Sequence, residues 1–257
     1  MSEQDKINKM GIIAEIGSAF MFLSRLPVPQ RLFQNGFPSL NDSLWAFPVV
    51  GAVIGFIGAG IMMLASALHI PMGVAVVFAL IAMVMTTGGL HEDGLADMAD
   101  GFGSHKGAEE IARIMKDSVI GSYGTIALIC LFFMRWTSIS AIEISMILAL
   151  LPLSMAVGRA SVVLALITTP LSPHASLGKM LSKPEMPVIF VTSFILFLLA
   201  SFVSFGVVLA GLLAALSGFV IIRALAIRKI GGLTGDVMGA LIVTTELLFL
   251  IGVISYG

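Results

Sequence analysis

Between Thr86 and Gly103 the chain reads TTGGLHEDGLADMADGFG, which places Glu92, Asp93, Asp97 and Asp100 within nine positions. That is four of the fifteen acidic residues of a chain that is 58% hydrophobic, so the grouping calls for a reason. On a helix Asp93, Asp97 and Asp100 fall at i, i+4 and i+7 and project from one face, with Glu92 about 100° round. Carboxylates crowded in this way raise one another's pKa unless a cation neutralises them. Hard oxygen donors without cysteine or paired histidine favour Mg²⁺, which is held through one or two carboxylates together with substrate phosphates. Asp93, Asp97 and Asp100, with Glu92 beside them, are the candidate metal ligands, and phosphate chemistry is the expected use. Solvated charge on a surface loop is the plainer alternative. His91 reads as polar filling.

Two further stretches could serve the same chemistry. Gly231-Gly232-Leu233-Thr234-Gly235-Asp236 is a glycine-rich turn before a helix, an arrangement that offers backbone N–H groups to an anion, though an ordinary turn reads the same way. It is not a Walker A loop, because no Gly-Lys-Ser/Thr follows. Asp236 could complete the metal site. Gly94 and Gly101 in the acidic stretch, and Gly232 and Gly235 here, are the glycines expected to let backbone approach a bound phosphate group. Lys116, ahead of Gly121-Ser122-Tyr123-Gly124, and Arg159, inside an apolar run, are the cations expected to offset phosphate charge. Arg159 paired structurally with Glu246 is the competing reading.

The elements that must position these groups lie in a membrane. Mean hydropathy is +1.06 and 11% of residues are charged, against about 25% in a soluble domain. The fold class expected is all-α, a polytopic helical bundle in one domain spanning residues 1–257. Residues 1–46 form an N-terminal segment whose apolar Ile12–Leu23 is too short to span and reads as an interfacial helix ending at Pro27. Seven spans follow, approximately Phe47–Leu68, Met72–Gly89, Ser122–Ser140, Ile144–Ile167, Val188–Phe205, Val207–Ile227 and Val237–Tyr256. Gly51, Gly55 and Gly58 in the first suit close helix packing. Twelve of the fourteen Lys and Arg residues fall on one side of this arrangement, which the positive-inside rule makes cytoplasmic. The N-terminus and the acidic loop 90–121 are then cytoplasmic. Within that loop, residues 107–118 read as a short amphipathic helix, and the proline-rich 168–187 connection as a lid or plain connector. Its His174 reads as a surface residue. The lone Cys130 excludes an intrachain disulfide.

The motifs, taken in order, resemble one family. Gly88-Gly89-Leu90-His91, Asp93-Gly94-Leu95-Ala96-Asp97, Asp100-Gly101 and Met115-Lys116-Asp117-Ser118 are similar to the signature of cobalamin synthase, adenosylcobinamide-GDP ribazoletransferase. So are Arg25-Leu26-Pro27-Val28-Pro29, Phe47-Pro48-Val49-Val50-Gly51, and Gly231 through Asp236 with Gly239-Ala240 and Glu246. Glu92 departs from that pattern, where an apolar residue is the more frequent occupant. The resemblance implies a multi-pass enzyme of the bacterial inner membrane that uses Mg²⁺. It would join adenosylcobinamide-GDP to α-ribazole or its 5′-phosphate and release GMP. The implied surroundings are the lipid bilayer, with a homo-oligomer or a complex with other corrinoid-pathway enzymes left open, and no nucleic acid. A CDP-alcohol phosphotransferase is the nearest alternative. Its pattern needs an Asp where Leu90 stands and an Arg where Asp97 stands. A cation-coupled transporter would place its acids near the bilayer midplane, where only Glu246 and Arg159 fall.

Overall fold

The computed structural model describes residues 3–34, 36–175 and 181–256, with the backbone alone for residues 3–10. Lys179, one of the basic residues counted above, lies outside the described residues. The helices are α1 (Glu3–Leu23), α2 (Phe47–Ala67), α3 (Met72–Thr87), α4 (Leu90–Gly103), α5 (Ala108–Ile114), α6 (Ser122–Ser140), α7 (Ile147–Thr168), α8 (Met186–Ala200), α9 (Phe205–Ile230) and α10 (Gly235–Tyr256). Among the described residues the only β-type pairing is an isolated bridge between Leu171 and Leu233. The chain is the all-α, multi-helix membrane bundle its composition called for.

Among the described residues five stretches are long and apolar enough to cross a bilayer: Leu44–Ala67, Ser122–Ser140, Ile144–Thr168, Phe205–Ile230 and Gly235–Tyr256. The other two expected spans come out short, with 16 residues in α3 and 15 in α8, against the ~20 a bilayer needs. Of the seven expected spans, five are thus full-length helices among the described residues, or six if α3 and α4 together make one bent span, and α8 is a shorter apolar helix. α3 stops because Gly88 and Gly89 take φ of 70° and 73°, the left-handed conformation that ends helices and that glycine adopts without strain. The chain then turns by 87° into α4. In the connection 90–121 the short helix expected at 107–118 is α5, and the acidic stretch, expected at the membrane edge, is α4, packed into the bundle against α6 and α10. α1 begins at Glu3, well before Ile12.

α10 is the central helix, buried along most of its length and flanked by α4, α6, α7 and α9. Small residues let the backbones meet. Gly51 and Gly55 of α2 lie on the backbone at Met155 and Pro152 of α7, where a Cβ would collide. Gly94 of α4 lies on Asp236, and a Cβ there would come within 2.8 Å of the Asp236 carbonyl oxygen. With no hydrophobic drive between helices in lipid, such contact supplies the packing energy.

Four buried charges tie the same helices together. Arg135 of α6 donates to Glu92 Oε1 of α4 and to Glu246 Oε2 of α10, both at 2.7 Å. Arg159 of α7 donates through Nη1 to Glu246 Oε1 and to the Met155 carbonyl. Relative exposures are 4% for Arg135, 8% for Glu92 and 1% each for Arg159 and Glu246. Two cations and two anions balance, so the cluster is neutral as a whole although each charge alone would be costly in lipid.

Removing one partner of such a cluster leaves the others uncompensated, which costs about 3–5 kcal/mol. Arg135→Met is therefore expected to lower the unfolding midpoint of the detergent-purified protein by many degrees. Arg113→Met, which removes the exposed pair with Glu110, is expected to leave it unchanged. Equal effects would show that the buried cluster does not hold the helices.

Candidate functional site

α4 is the element that carries the acids, and its orientation follows from its contacts. Asp100 meets the start of α6, accepting from Gly121 N–H at 2.7 Å and from Gly124 N–H at 2.9 Å. Glu92 meets Arg135 near the end of α6. α4 therefore runs antiparallel along α6. At the other end, Lys229 of α9 donates to the Phe102 carbonyl at 3.2 Å, placing a cation on the last turn of α4 where the helix dipole favours one.

The start of α10 is set by the turn before it. Leu233 N–H donates to the Pro170 carbonyl and Ser172 N–H to the Leu233 carbonyl, both at 2.9 Å. Ser172 Oγ donates to the last carbonyl of α9, Ile230, at 2.7 Å. The 168–187 connection is thus pinned to the Gly231–Thr234 turn, and its far end is pinned again where Asn41 and Ser182 exchange two hydrogen bonds. Thr234 Oγ1 accepts from Val237 N–H and caps α10. Asp236 sits in the first turn of that helix.

These two placements bring Asp93, Asp97 and Asp236 within electrostatic range of one another. Asp93 is exposed, and Asp97 and Asp236 are half-buried. Burial first, then the charges of Asp93, Asp236 and Asp100, push the Asp97 carboxyl up to about 7. Lys116, just beyond α5, is the cation facing Asp236. Lys116, His174, Gly235 and Asp236 line a cavity of about 250 Å³. On the other side of Asp236, His91, Asp93 and Gly235 line a second of about 150 Å³, closed by Leu181 and Phe47. Among the described residues no three His, Cys, Asp or Glu side chains converge closely enough to hold a metal ion between them.

The remaining candidates sit elsewhere. Glu92 has Oε1 on Arg135, and Arg159 is in the buried cluster on Glu246, the pairing that competed with a phosphate role for it. Both oxygens of Asp100 are engaged by α6, and Gly121 and Gly124 leave the room it needs, since a Cβ at either would strike its carboxylate. Gly94 and Gly101 face protein, packing on Asp236 and on Met115 respectively. Gly232 lies on the Pro170 carbonyl. Only Gly235 of the four glycines lines a cavity. Arg135, an intramembrane arginine whose place toward the outer end of its span suggests a side chain reaching for water, is instead buried at the centre of the charge cluster. His174, read as a surface residue, carried no signal of its place in the cavity.

Comparison with known proteins gives one consistent result. The sequence model of a family described as cobalamin-5-phosphate synthase matches residues 15–254. Relatives named adenosylcobinamide-GDP ribazoletransferase include that of Azorhizobium caulinodans, 38% identical over 95% of this chain and 97% of the relative. That of Xanthobacter autotrophicus is also 38% identical, over 95% and 97%. That of Bradyrhizobium diazoefficiens is 35% identical over 93% of each chain. No solved structure matches the chain. With agreement extending over almost its entire length, the chain belongs to the cobalamin-5-phosphate synthase family.

Proposed function

We propose that the chain is an adenosylcobinamide-GDP ribazoletransferase that joins adenosylcobinamide-GDP to α-ribazole or its 5′-phosphate. The ribazole 3′-hydroxyl oxygen forms a bond to the cobinamide-bound phosphorus, the bond from that phosphorus to the bridging oxygen breaks, and GMP leaves. The hydroxyl proton passes to a carboxylate of the site or to water. The observation that carries this reading is the meeting of Asp93, Asp97 and Asp236 beside Lys116. Repelling carboxylates next to a cavity lined by Lys116 suit a substrate that brings phosphate charge and a cation with it.

The cation proposed is Mg²⁺. Three carboxylates that do not close into a cage still fit it, because Mg²⁺ keeps several waters and is held by one or two carboxylates plus substrate phosphate. Asp93, Asp97 and Asp236 are the residues that would hold it. When bound, it would neutralise charge on the pyrophosphate oxygens. Lys116 lines the same cavity as Asp236 and would offset phosphate charge there. Arg159, fixed on Glu246, serves by positioning. Glu92 and Asp100 likewise act through α6, holding α4 in register. The location proposed is the bacterial inner membrane with the N-terminus cytoplasmic, a reading supported by the twelve Lys and Arg residues that fall on one side of the expected spans.

Purified protein given adenosylcobinamide-GDP and α-ribazole is expected to release GMP with Mg²⁺ and to stop when the metal is chelated. Product formed at full rate in chelator would remove the metal from the proposal. Asp93→Asn and Asp97→Asn are each expected to cost about 100-fold or more in rate while leaving the unfolding midpoint in place. Normal turnover by either correctly inserted variant would rule out the aspartate site. Lys116→Ala is expected to lose rate by a similar factor, and Lys116→Arg to recover part of it; unchanged turnover in the alanine variant would remove Lys116 from the mechanism.

A further inference from the structure

α8 and α9 are consecutive in the chain and yet make no extended contact. α8 packs on α2 and α7, and α9 packs on α10. Between them lies a cleft of about 340 Å³ floored by α7, with Thr245 of α10 at its base. Its walls are almost wholly apolar, and its rim carries Leu164, Leu212 and Leu216, which are 39%, 41% and 47% exposed. The rim is therefore open to whatever surrounds the spanning helices. In a bilayer that is lipid. A void of this size left empty would forfeit the dispersion contacts of its whole lining, and water has no place there.

Two polar features define what fills it. Ser161, Ser193 and Thr245 in the lining spend their hydroxyl protons on carbonyls of their own helices. Thr192 does not: its Oγ1 is buried without a partner in a residue 5% exposed. It lies six residues into α8, ~9 Å along the axis from the end at Met186. The second feature is Arg223, one helical turn beyond Phe219 of the lining. Its Nε and Nη2 donate to the Thr168 carbonyl at 3.2 and 2.6 Å, and Nε also meets Thr169 Oγ1 at 3.1 Å. That clamps the guanidinium at the end of α7, next to the cleft residue Ile167. Nη1 has no partner among the described residues. The cleft lining comes from the second half of α7, the first two-thirds of α8 and the middle of α9, and Arg223 stands one turn further along α9 at the end where α7 stops.

We propose that this cleft binds one membrane phospholipid with an anionic headgroup. An acyl chain fills the apolar walls, Thr192 Oγ1 donates to an ester carbonyl, and Arg223 Nη1 meets the headgroup phosphate. The site lies on the far side of α7 and α10 from the aspartates and does not depend on the activity assigned to them. Its cation sets the headgroup preference, since one arginine near an anionic lipid surface contributes about 1 kcal/mol.

The test is native mass spectrometry of the intact protein, delipidated in detergent and offered phosphatidylglycerol or phosphatidylcholine. The wild type is expected to retain one lipid per chain and to prefer phosphatidylglycerol about fivefold. Arg223→Gln is expected to keep a lipid and lose the preference. Ala215→Phe, which fills the cleft, is expected to lose the lipid, with Thr192→Val as a milder variant that binds more weakly without overfilling. Equal retention of both lipids by the wild type would overturn the headgroup assignment. No retained lipid, or full retention by Ala215→Phe and Thr192→Val, would overturn the site. A dimer disrupted by Ala215→Phe with no lipid bound would assign the cleft to a second copy of the chain, and displacement of the lipid by α-ribazole would assign it to substrate.

Discussion

Two arginines and two glutamates are buried together where four helices of an apolar bundle meet, and that constraint governs the rest of the molecule. None of the four can be left alone in such surroundings. Arg135 can satisfy Glu92 and Glu246 only if α4, α6 and α10 hold one mutual register. Arg159 adds α7 to the set through the second oxygen of Glu246. Apolar packing in lipid is tolerant of small slides between helices, whereas a shared carboxylate is not. The cluster's contribution is best described as register and only secondarily as stability.

The aspartates inherit that register. Glu92 precedes Asp93 by one residue, so seating Glu92 on Arg135 turns Asp93 and Asp97 outward, toward the start of α10. Asp100 locks the other end of the same helix to α6 through two backbone amides. Gly94 then allows α4 to approach until Asp236 joins the group. Glu92 and Asp100 thus bracket the aspartate face through their contacts with α6, and the repulsion left among the aspartates is what a cation and a phosphate would relieve.

Much of this was readable in the sequence, and the reasons are local. The spacing of Asp93, Asp97 and Asp100 follows helical geometry, Gly88-Gly89 marks a helix end, and the partnership of Asp236 with them followed from the side of the membrane on which each falls. What was not readable depends on neighbours distant in the chain. Glu92 looked like a fifth ligand because it adjoins Asp93; the carboxylate's partner is 43 positions away at Arg135. Asp100 shares the helical face of the other two, and only the arrival of Gly121 and Gly124 turns it into a cap. Gly94, Gly101 and Gly232 were read as openings for phosphate and are openings for protein. Span lengths were not readable either, because an apolar run records composition and is blind to the glycine pair that ends α3 early and to the break after Ala200.

We infer that remote buried charges determine whether the aspartates can act together. The most direct measurement is Mn²⁺ binding, followed by electron paramagnetic resonance in place of Mg²⁺, to the folded wild type and to Glu246→Gln. Glu246 lies ten positions along α10 from Asp236 and is itself 1% exposed. Glu246→Gln is expected to weaken Mn²⁺ binding about tenfold, the equivalent of roughly 1.4 kcal/mol, although Glu246 touches no candidate ligand. Wild-type affinity in a folded Glu246→Gln protein would contradict it.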